Sequence, residues 1–186
     1  MKKCCIIYNE PLPGALEDEL DVIDQVDHVE KGLRELGIEV YRKGFSEKFM
    51  DEVAALINEK PDFVYNLVES INNKGELNYF VPALLSLNGI PYAGNSHEAI
   101  FLTTSKALSS KMMKMAGIPN PGCFLPSQMK ELTPGKKYIL KPIWEDGSLG
   151  ITADNVFICS PGYEDKLQGL SDSHWFIEEF IDGREF

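Results

Sequence analysis

Near residue 140 the sequence runs Lys137-Tyr-Ile-Leu-Lys-Pro-Ile-Trp-Glu-Asp-Gly-Ser-Leu-Gly150. Its first residues predict a β-strand that ends near Lys141, and Glu145–Gly150 predicts a loop. A second predicted strand, Trp175–Ile181, carries two adjacent acids. Because side chains alternate along a strand, Lys141 shares a face with Ile139. We therefore expect a partly desolvated lysine at the end of an apolar strand, directly before a glycine-containing loop.

This lysine and loop are candidates for binding a phosphate group. The ammonium of Lys141 is a compact point charge that suits a phosphate oxygen, although a strand-end lysine can equally rest its stem on apolar surface. Gly147 and Gly150 allow backbone N–H groups to turn toward an anion, and Ser148 adds a hydroxyl donor. An ordinary hairpin turn can have the same glycines. The lysine and the loop together favour phosphate binding.

The adjacent acids Glu178 and Glu179 lie on opposite faces of the second predicted strand. One of them must face inward, where an acid without a partner is costly. The exocyclic amine of adenine is one possible partner, because it donates to a carboxylate. The alternative is an edge strand on which both acids reach water, and the residues leave both interpretations open. Gly183 predicts a turn, after which Glu185 could accept hydrogen bonds from ribose hydroxyls.

Short apolar runs alternate with helical spacing in the first half of the chain. The predicted strands are Cys4–Tyr8, Ile38–Tyr41, Phe63–Val68 and Ile90–Ala93, and the predicted helices are Leu20–Leu36, Phe49–Ile57 and Leu77–Leu87, the last with a local kink at Pro82. This rhythm predicts βαβ units and an open parallel sheet in a domain of residues 1–95.

Residues 96–186 have a different pattern, which predicts an α+β domain. It begins with a single helix, Glu98–Met115, and continues with short strands that pair as in hairpins. The fold class is therefore α/β, with an open parallel sheet followed by an α+β unit. The predicted strands of this second domain are Cys123–Leu125, Tyr138–Ile143, Val156–Cys159 and Trp175–Ile181, with one short helix at Tyr163–Leu170.

Polar residues that follow strands of the parallel sheet are further binding candidates. Ligands of open α/β sheets bind at the carboxyl ends of the strands. Glu69 and Glu76 follow the third strand, and Ser96 follows the fourth. Glu76 is also the charge that a helix N-terminus favours. Lys106 lies on the predicted helix, where a solvated position is the simpler interpretation.

Composition excludes several classes of function. A net charge of −11 at pH 7 argues against nucleic acid as a partner. The apolar run after Met-Lys-Lys is too short for a signal peptide or a membrane span. Four cysteines without a CxxC spacing are typical of reduced thiols, so we expect a cytoplasmic protein. The three histidines, His28, His97 and His174, have no metal-binding spacing, and no metal ligand is predicted.

A series of motifs in one order resembles the D-alanine–D-alanine ligase branch of the ATP-grasp superfamily. The resemblance covers nearly the whole chain, and the series is more specific than any of its parts. Its motifs are Asn66-Leu-Val-Glu, Leu87-Asn-Gly-Ile-Pro-Tyr-Ala-Gly-Asn-Ser, Ser105-Lys, Ala116-Gly-Ile-Pro-Asn-Pro, Leu140-Lys-Pro and Ile177-Glu-Glu-Phe-Ile-Asp-Gly-Arg-Glu-Phe186.

The resemblance implies a pre-ATP-grasp domain at 1–95 and the first part of an ATP-grasp domain at 96–186. It implies ATP as cofactor, an amino acid or dipeptide-like carboxylate as substrate, and a place in peptidoglycan biosynthesis. Glu69, Glu76 and Ser96, which follow strands of the parallel sheet, are the candidates for binding that substrate. The nucleotide residues that it implies are Lys106 and Lys141 at the phosphates, Ser148 in a phosphate-covering loop, Glu178 with the backbone of Glu179 and Ile181 at adenine, and Glu185 at ribose.

The family reaction that the resemblance implies is phosphorylation of a carboxylate by ATP, followed by attack of an amine on the acyl phosphate. Its magnesium ligands belong to a C-terminal half that follows the matched motifs, so we expect residues 1–186 to be inactive alone and to self-associate or to need that half. The sequence departs from the family at Asn9-Glu-Pro-Leu-Pro-Gly14 and at Asp146-Gly-Ser-Leu149, which leaves the D-alanine substrate open. The alternative is a non-catalytic nucleotide-binding or interaction module. A dinucleotide oxidoreductase is disfavoured because no GxGxxG follows Tyr8.

Overall fold

The structure is a computed structural model that describes residues 1–11, 14, 17–145 and 150–184, apart from the side chains of residues 17–19. It contains two compact units, Met1–Phe101 and Leu102–Phe186. The sequence places the division a few residues earlier, after residue 95, and that domain boundary stays a prediction. None of the helices in the described ranges combines the length and apolar character that crossing a membrane requires.

The strands and helices follow one another in an order that alternates regularly only in the first unit. The strands are β1 (Lys3–Asn9), β2 (Glu39–Phe45), β3 (Phe63–Leu67), β4 (Tyr92–Ala93), β5 (Cys123–Phe124), β6 (Lys137–Pro142), β7 (Val156–Ile158) and β8 (Trp175–Glu179). The α-helices are α1 (Glu17–Glu35), α2 (Phe49–Glu59), α3 (Phe80–Leu87), α4 (His97–Thr104), α5 (Lys106–Met115) and α6 (Glu164–Leu167). Short 3₁₀ helices cover Gly75–Leu77, Pro126–Glu131 and Ala153–Asn155.

The first unit is an open parallel sheet with helices on both faces. Its strand order is β2-β1-β3-β4, and each neighbouring pair is parallel. The continuous apolar run of β1 is buried on both faces, as expected for a central parallel strand. Cys4 packs with Val26 of α1 on one face, and Cys5 packs with Leu56 of α2 and Leu85 of α3 on the other.

The second unit contains an antiparallel sheet in the order β5-β8-β6-β7. One face of this sheet carries Tyr138, Leu140 and Ile177 into a core cluster. The opposite face carries Phe176, which packs with Ala107 of α5. The fold class predicted from the sequence, an open parallel α/β unit followed by an α+β unit, is confirmed.

Two details of the helix predictions are wrong. The single helix predicted over Glu98–Met115 is interrupted at Ser105, whose extended ψ of 101° ends the helical path and whose side chain accepts a hydrogen bond from the Leu108 N–H as the N-cap of α5. The kink predicted at Pro82 is absent because α3 begins at Phe80. Proline has no backbone N–H, but the N–H groups in the first turn of a helix have no acceptor within the helix. Proline is therefore accommodated there without a kink.

Candidate functional site

Lys141 and Glu178 form an ion pair on one face of the antiparallel sheet. The Lys141 Nζ donates a hydrogen bond to Glu178 Oε2 over 2.5 Å. Glu178 lies opposite Ile139, and Lys141 lies opposite Phe176, so the two charged side chains are diagonal neighbours across β6 and β8. They are only 27% and 21% exposed. The structure thus brings together a cation and a carboxylate that the sequence predicts to bind phosphate and adenine.

Glu179 lies on the opposite face and has a different partner. Its Oε1 lies 2.8 Å from the Nζ of Lys136, and its backbone N–H donates to the Gly122 carbonyl over 2.8 Å. The hydrogen bond that Lys136 donates to Glu179 raises the pKa of Lys136. The alternation of the two acids therefore follows the sequence prediction, with each acid paired to its own lysine.

Lys106 lies at the first position of α5, beside the end of β6. The Lys106 backbone N–H donates to the Ile143 carbonyl over 3.2 Å, and its Nζ donates to the Glu145 carbonyl. Because Ser105 caps the helix, Lys106 is fixed next to the segment that follows Lys141. The sequence predicts Lys106 inside a longer helix, Glu98–Met115, so the cap at Ser105 is what gives the lysine this position.

Cys123 is a neighbour of this face that the sequence analysis did not single out. It pairs with Glu178 across β5 and β8, so both side chains lie on one face. Burial raises the pKa of the Cys123 thiol, a hydrogen bond from the Ser110 hydroxyl lowers it, and the charge of Glu178 raises it. Cys123 and Ser110 also line a cavity of about 470 Å³ beside α5. Neither Lys141 nor Glu178 lines that cavity. The pairing of β5 with β8 places Cys123 beside Glu178, and the sequence alone does not define that pairing.

The substrate candidates of the first unit lie at or beyond the carboxyl ends of its strands. Glu69 is exposed, and its backbone N–H donates to the Asn9 Oδ1 over 2.8 Å. Asn9 ends β1, so this bond joins the segments that follow β1 and β3. Glu76 lies in the 3₁₀ helix Gly75–Leu77, and the Ser96 hydroxyl accepts from the Ala99 N–H over 3.3 Å.

The remaining predicted residues lie at or outside the limits of the described chain. Ile181 follows β8 and is 64% exposed, which leaves its backbone role a prediction. Ser148 and Glu185 lie outside the described residues. Within the ranges that are described, no group of three or more His, Cys, Asp or Glu side chains could hold a metal ion.

Comparison with known proteins relates the chain to one kind of ligase. No family model matches it. It is 30% identical over 128 residues to the uncharacterised protein y4sG of Sinorhizobium fredii, covering 66% of this chain and 37% of that protein. It is also 30% identical over 111 residues to a D-alanine–D-alanine ligase of Acidovorax ebreus, covering 56% of this chain and 33% of the ligase.

Solved structures extend the likeness to nearly the whole chain. The D-alanine–D-alanine ligase of Bacillus anthracis matches with a TM-score of 0.73 and 20% identity, over 98% of this chain and 59% of the ligase. The same ligase complexed with ATP matches with a TM-score of 0.72 and 19% identity, over 98% of this chain and 60% of that one. A biotin carboxylase domain from Hydrogenobacter thermophilus in complex with MgADP matches with a TM-score of 0.62 and 16% identity, over 96% of this chain and 44% of that domain.

These matches agree on the fold and on the extent of the likeness. The chain spans 33% to 37% of the length of these two curated relatives, and 59% of the first matched structure. The sequence likeness is to D-alanine–D-alanine ligases, and the structural likeness extends to other ATP-grasp enzymes. The chain is therefore D-alanine–D-alanine ligase-like, with the α/β architecture of ATP-grasp enzymes over the part of them that it spans.

Proposed function

We propose that the chain binds ATP on the face of β6 and β8 that carries Lys141 and Glu178, as part of an ATP-dependent carboxylate–amine ligase. The observation that carries this proposal is the Lys141–Glu178 pair, with 2.5 Å between Nζ and Oε2. A cation that suits phosphate and an acceptor that suits an amine lie side by side in a partly desolvated position. The likeness to ligases of known activity supports the same conclusion.

The distance that Lys141 and Glu178 can bridge fits the separation between the base and the nearest phosphate of one nucleotide. Charge-assisted hydrogen bonds of about 2.8 Å at each end would separate the two ligand atoms by at most about 8 Å. That reach is too short for an adenine amine and a terminal phosphate. Lys106, at the start of α5 and beside the end of β6, is then the candidate for the more distant phosphates. Ser148, Glu185 and the backbone of Glu179 and Ile181 complete the proposed nucleotide site, which does not include the Glu179 side chain.

The proposed reaction has two steps. A substrate carboxylate oxygen attacks the terminal phosphorus of ATP, the bond from that phosphorus to its bridging oxygen breaks, and ADP leaves. The amine then attacks the acyl phosphate, a C–N bond forms, inorganic phosphate leaves and the amine proton passes to solvent. Lysines that neutralise charge on the phosphates would assist the first step. Glu69, Glu76 and Ser96 are proposed to bind the amino-acid substrate.

Magnesium is implied by the family resemblance, but the described residues do not fit a magnesium site. In the described ranges, no group of three or more acidic, histidine or cysteine side chains is placed so that it could hold a metal ion. We therefore assign no step of the reaction to magnesium. The second candidate function is a nucleotide-binding module without catalysis.

Isothermal titration of the chain with ATP tests the proposed binding site. Replacing Lys141 with Met should weaken ATP binding at least about tenfold, because a charge-assisted hydrogen bond is lost. Lys43→Met is the matched control, because Lys43 is also partly buried and pairs with Glu59 over 2.7 Å, in the first unit. Equal affinity in both variants would refute the site.

Phosphate release separates the two candidate functions. A ligase should release phosphate from ATP when D-alanine or another amino acid is present, and it should form an amide product that mass spectrometry detects. Because residues 1–186 are expected to need the C-terminal half, the assay is repeated with the C-terminal half of a D-alanine–D-alanine ligase added. ATP binding without amino-acid-dependent phosphate release under both conditions would favour the non-catalytic module. Absence of ATP binding would refute both.

A further inference from the structure

The ion pair between Lys141 and Glu178 has a consequence for ligands that carry phosphate but no base. The ammonium and the carboxylate are 2.5 Å apart, and each side chain is less than a third exposed. Any phosphate oxygen that contacts Lys141 Nζ must therefore also approach Glu178 closely. In this partly desolvated position the repulsion between phosphate and carboxylate is screened less than it would be in water.

An adenine nucleotide and an inorganic polyphosphate differ in what they offer Glu178. Adenine carries an exocyclic amine, which is a hydrogen-bond donor for the carboxylate. Inorganic triphosphate at neutral pH offers mainly acceptor oxygens and negative charge, so it only repels Glu178. The Glu178 carboxylate thus favours binding of the adenine nucleotide and disfavours binding of inorganic triphosphate. Binding sites commonly gain specificity from such repulsion of the unwanted ligand.

We propose that Glu178 is a specificity-determining residue that excludes phosphate compounds lacking an amine-bearing base from the Lys141 site. The inference rests on the proposed nucleotide site, and it adds a second role to the contact with adenine. By pairing with Lys141, Glu178 cancels the charge that would otherwise attract any polyphosphate. A nucleotide regains affinity through its base, whereas inorganic triphosphate does not.

The adjacent acid provides a control with the same change in net charge. Glu179 lies on the opposite face of β8 and pairs with Lys136, 2.8 Å from its Oε1. Replacing either acid with Gln removes one negative charge and nearly preserves the shape of the side chain. Only the replacement at residue 178 removes the charge beside Lys141. A general electrostatic effect would appear equally in both variants, whereas a local effect would appear in Glu178→Gln alone.

Isothermal titration with sodium triphosphate and with ATP measures the effect in the whole chain. Glu178→Gln should bind triphosphate about tenfold more tightly than the unmodified chain, because a closely placed like charge is removed. Glu179→Gln should stay within about twofold of the unmodified chain, since exposed pairs contribute little. The gain should disappear when Lys141→Met is combined with Glu178→Gln, and circular dichroism confirms that each variant is folded.

The possible outcomes separate this inference from the proposed function. If the chain binds ATP but Glu178→Gln gains no affinity for triphosphate over Glu179→Gln, the inference is overturned and the proposed function stands. If the chain does not bind ATP but Glu178→Gln gains affinity for triphosphate, the exclusion of triphosphate by Glu178 stands, whereas the proposed function and the preference for an amine-bearing base both fail. If no variant binds triphosphate, the inference is also overturned, because removal of the carboxylate should expose a cationic site.

Discussion

Alkylation of the native chain by iodoacetamide should modify one cysteine, Cys123. Three of the four cysteines are shielded, because Cys4 and Cys5 are 0% exposed and Cys159 is 4% exposed. Burial raises the pKa of the Cys4 thiol to about 11 and that of the Cys5 thiol to about 12. Cys123 is partly exposed. Since the thiolate is the reacting form, thiolate content favours Cys123 over Cys4 and Cys5, and accessibility favours it over all three.

The rate at Cys123 should rise with pH throughout the neutral range. Burial raises the pKa of this thiol, the Ser110 hydroxyl lowers it through a hydrogen bond, Glu178 raises it, and Lys111 and Lys141 lower it. The net pKa is raised, so at pH 7 and pH 8 the thiolate is a minor form. Its fraction, and with it the alkylation rate, should increase about tenfold between these values. At pH 8, Lys141→Met should slow the reaction and Glu178→Gln should accelerate it.

Intact-mass spectrometry measures the number and rate of modifications, and peptide mapping identifies the cysteine. Because Cys123 lies beside Glu178 on the neighbouring strand, ATP at saturating concentration should slow the reaction. Denatured chain in urea is the control and should accept four alkyl groups, one for each cysteine. Two or more thiols that react at equal rates in the native chain, or a rate that does not change with pH, would refute the reasoning.

Two further predictions concern side chains that accept hydrogen bonds from backbone N–H groups. Tyr138→Phe removes the hydroxyl that accepts from the Thr133 N–H over 3.0 Å, and urea unfolding should show a loss of about 1 to 2 kcal/mol; an unchanged midpoint would contradict this role. Asn9→Ala removes a side chain that accepts from the backbone N–H groups of Glu69 and Ser70 over 2.8 and 3.2 Å, so both amides should exchange hydrogen faster in the variant. Unchanged protection at both positions would show that other contacts hold this segment.

The parts of the fold that the sequence predicts are those with a simple periodicity. The apolar run of β1 and the helical spacing of α1 predict a parallel unit. A central parallel strand is buried on both faces, and its crossover helix is buried along one face. The same period-two rule predicts that Glu178 and Glu179 diverge, and their separate partners Lys141 and Lys136 agree with it. Local alternation suffices for these features.

The features that the sequence does not reveal depend on contacts between distant residues. The break at Ser105 is hidden because helical spacing continues on both sides of it, although serine is a favoured N-cap. The direct pair between Lys141 and Glu178 requires the register of β6 against β8. The place of Cys123 likewise requires the register of β5 against β8. Strand register is set by the whole sheet and cannot be obtained from one strand.

The acids at the end of β8 determine how much positive charge the proposed phosphate site offers in a chain of net charge −11. Three lysines of the β6 region each meet an acid from β8 or the residues after it, over 2.8, 3.0 and 2.5 Å; the pairs are Lys136–Glu179, Lys137–Asp182 and Lys141–Glu178. The first two pairs include exposed side chains and contribute little to stability. The third pair alone is less than a third exposed on both sides. In the proposed nucleotide site, long-range attraction of a nucleotide should therefore be weak, and recognition should depend on short contacts that satisfy Lys141 and Glu178 together.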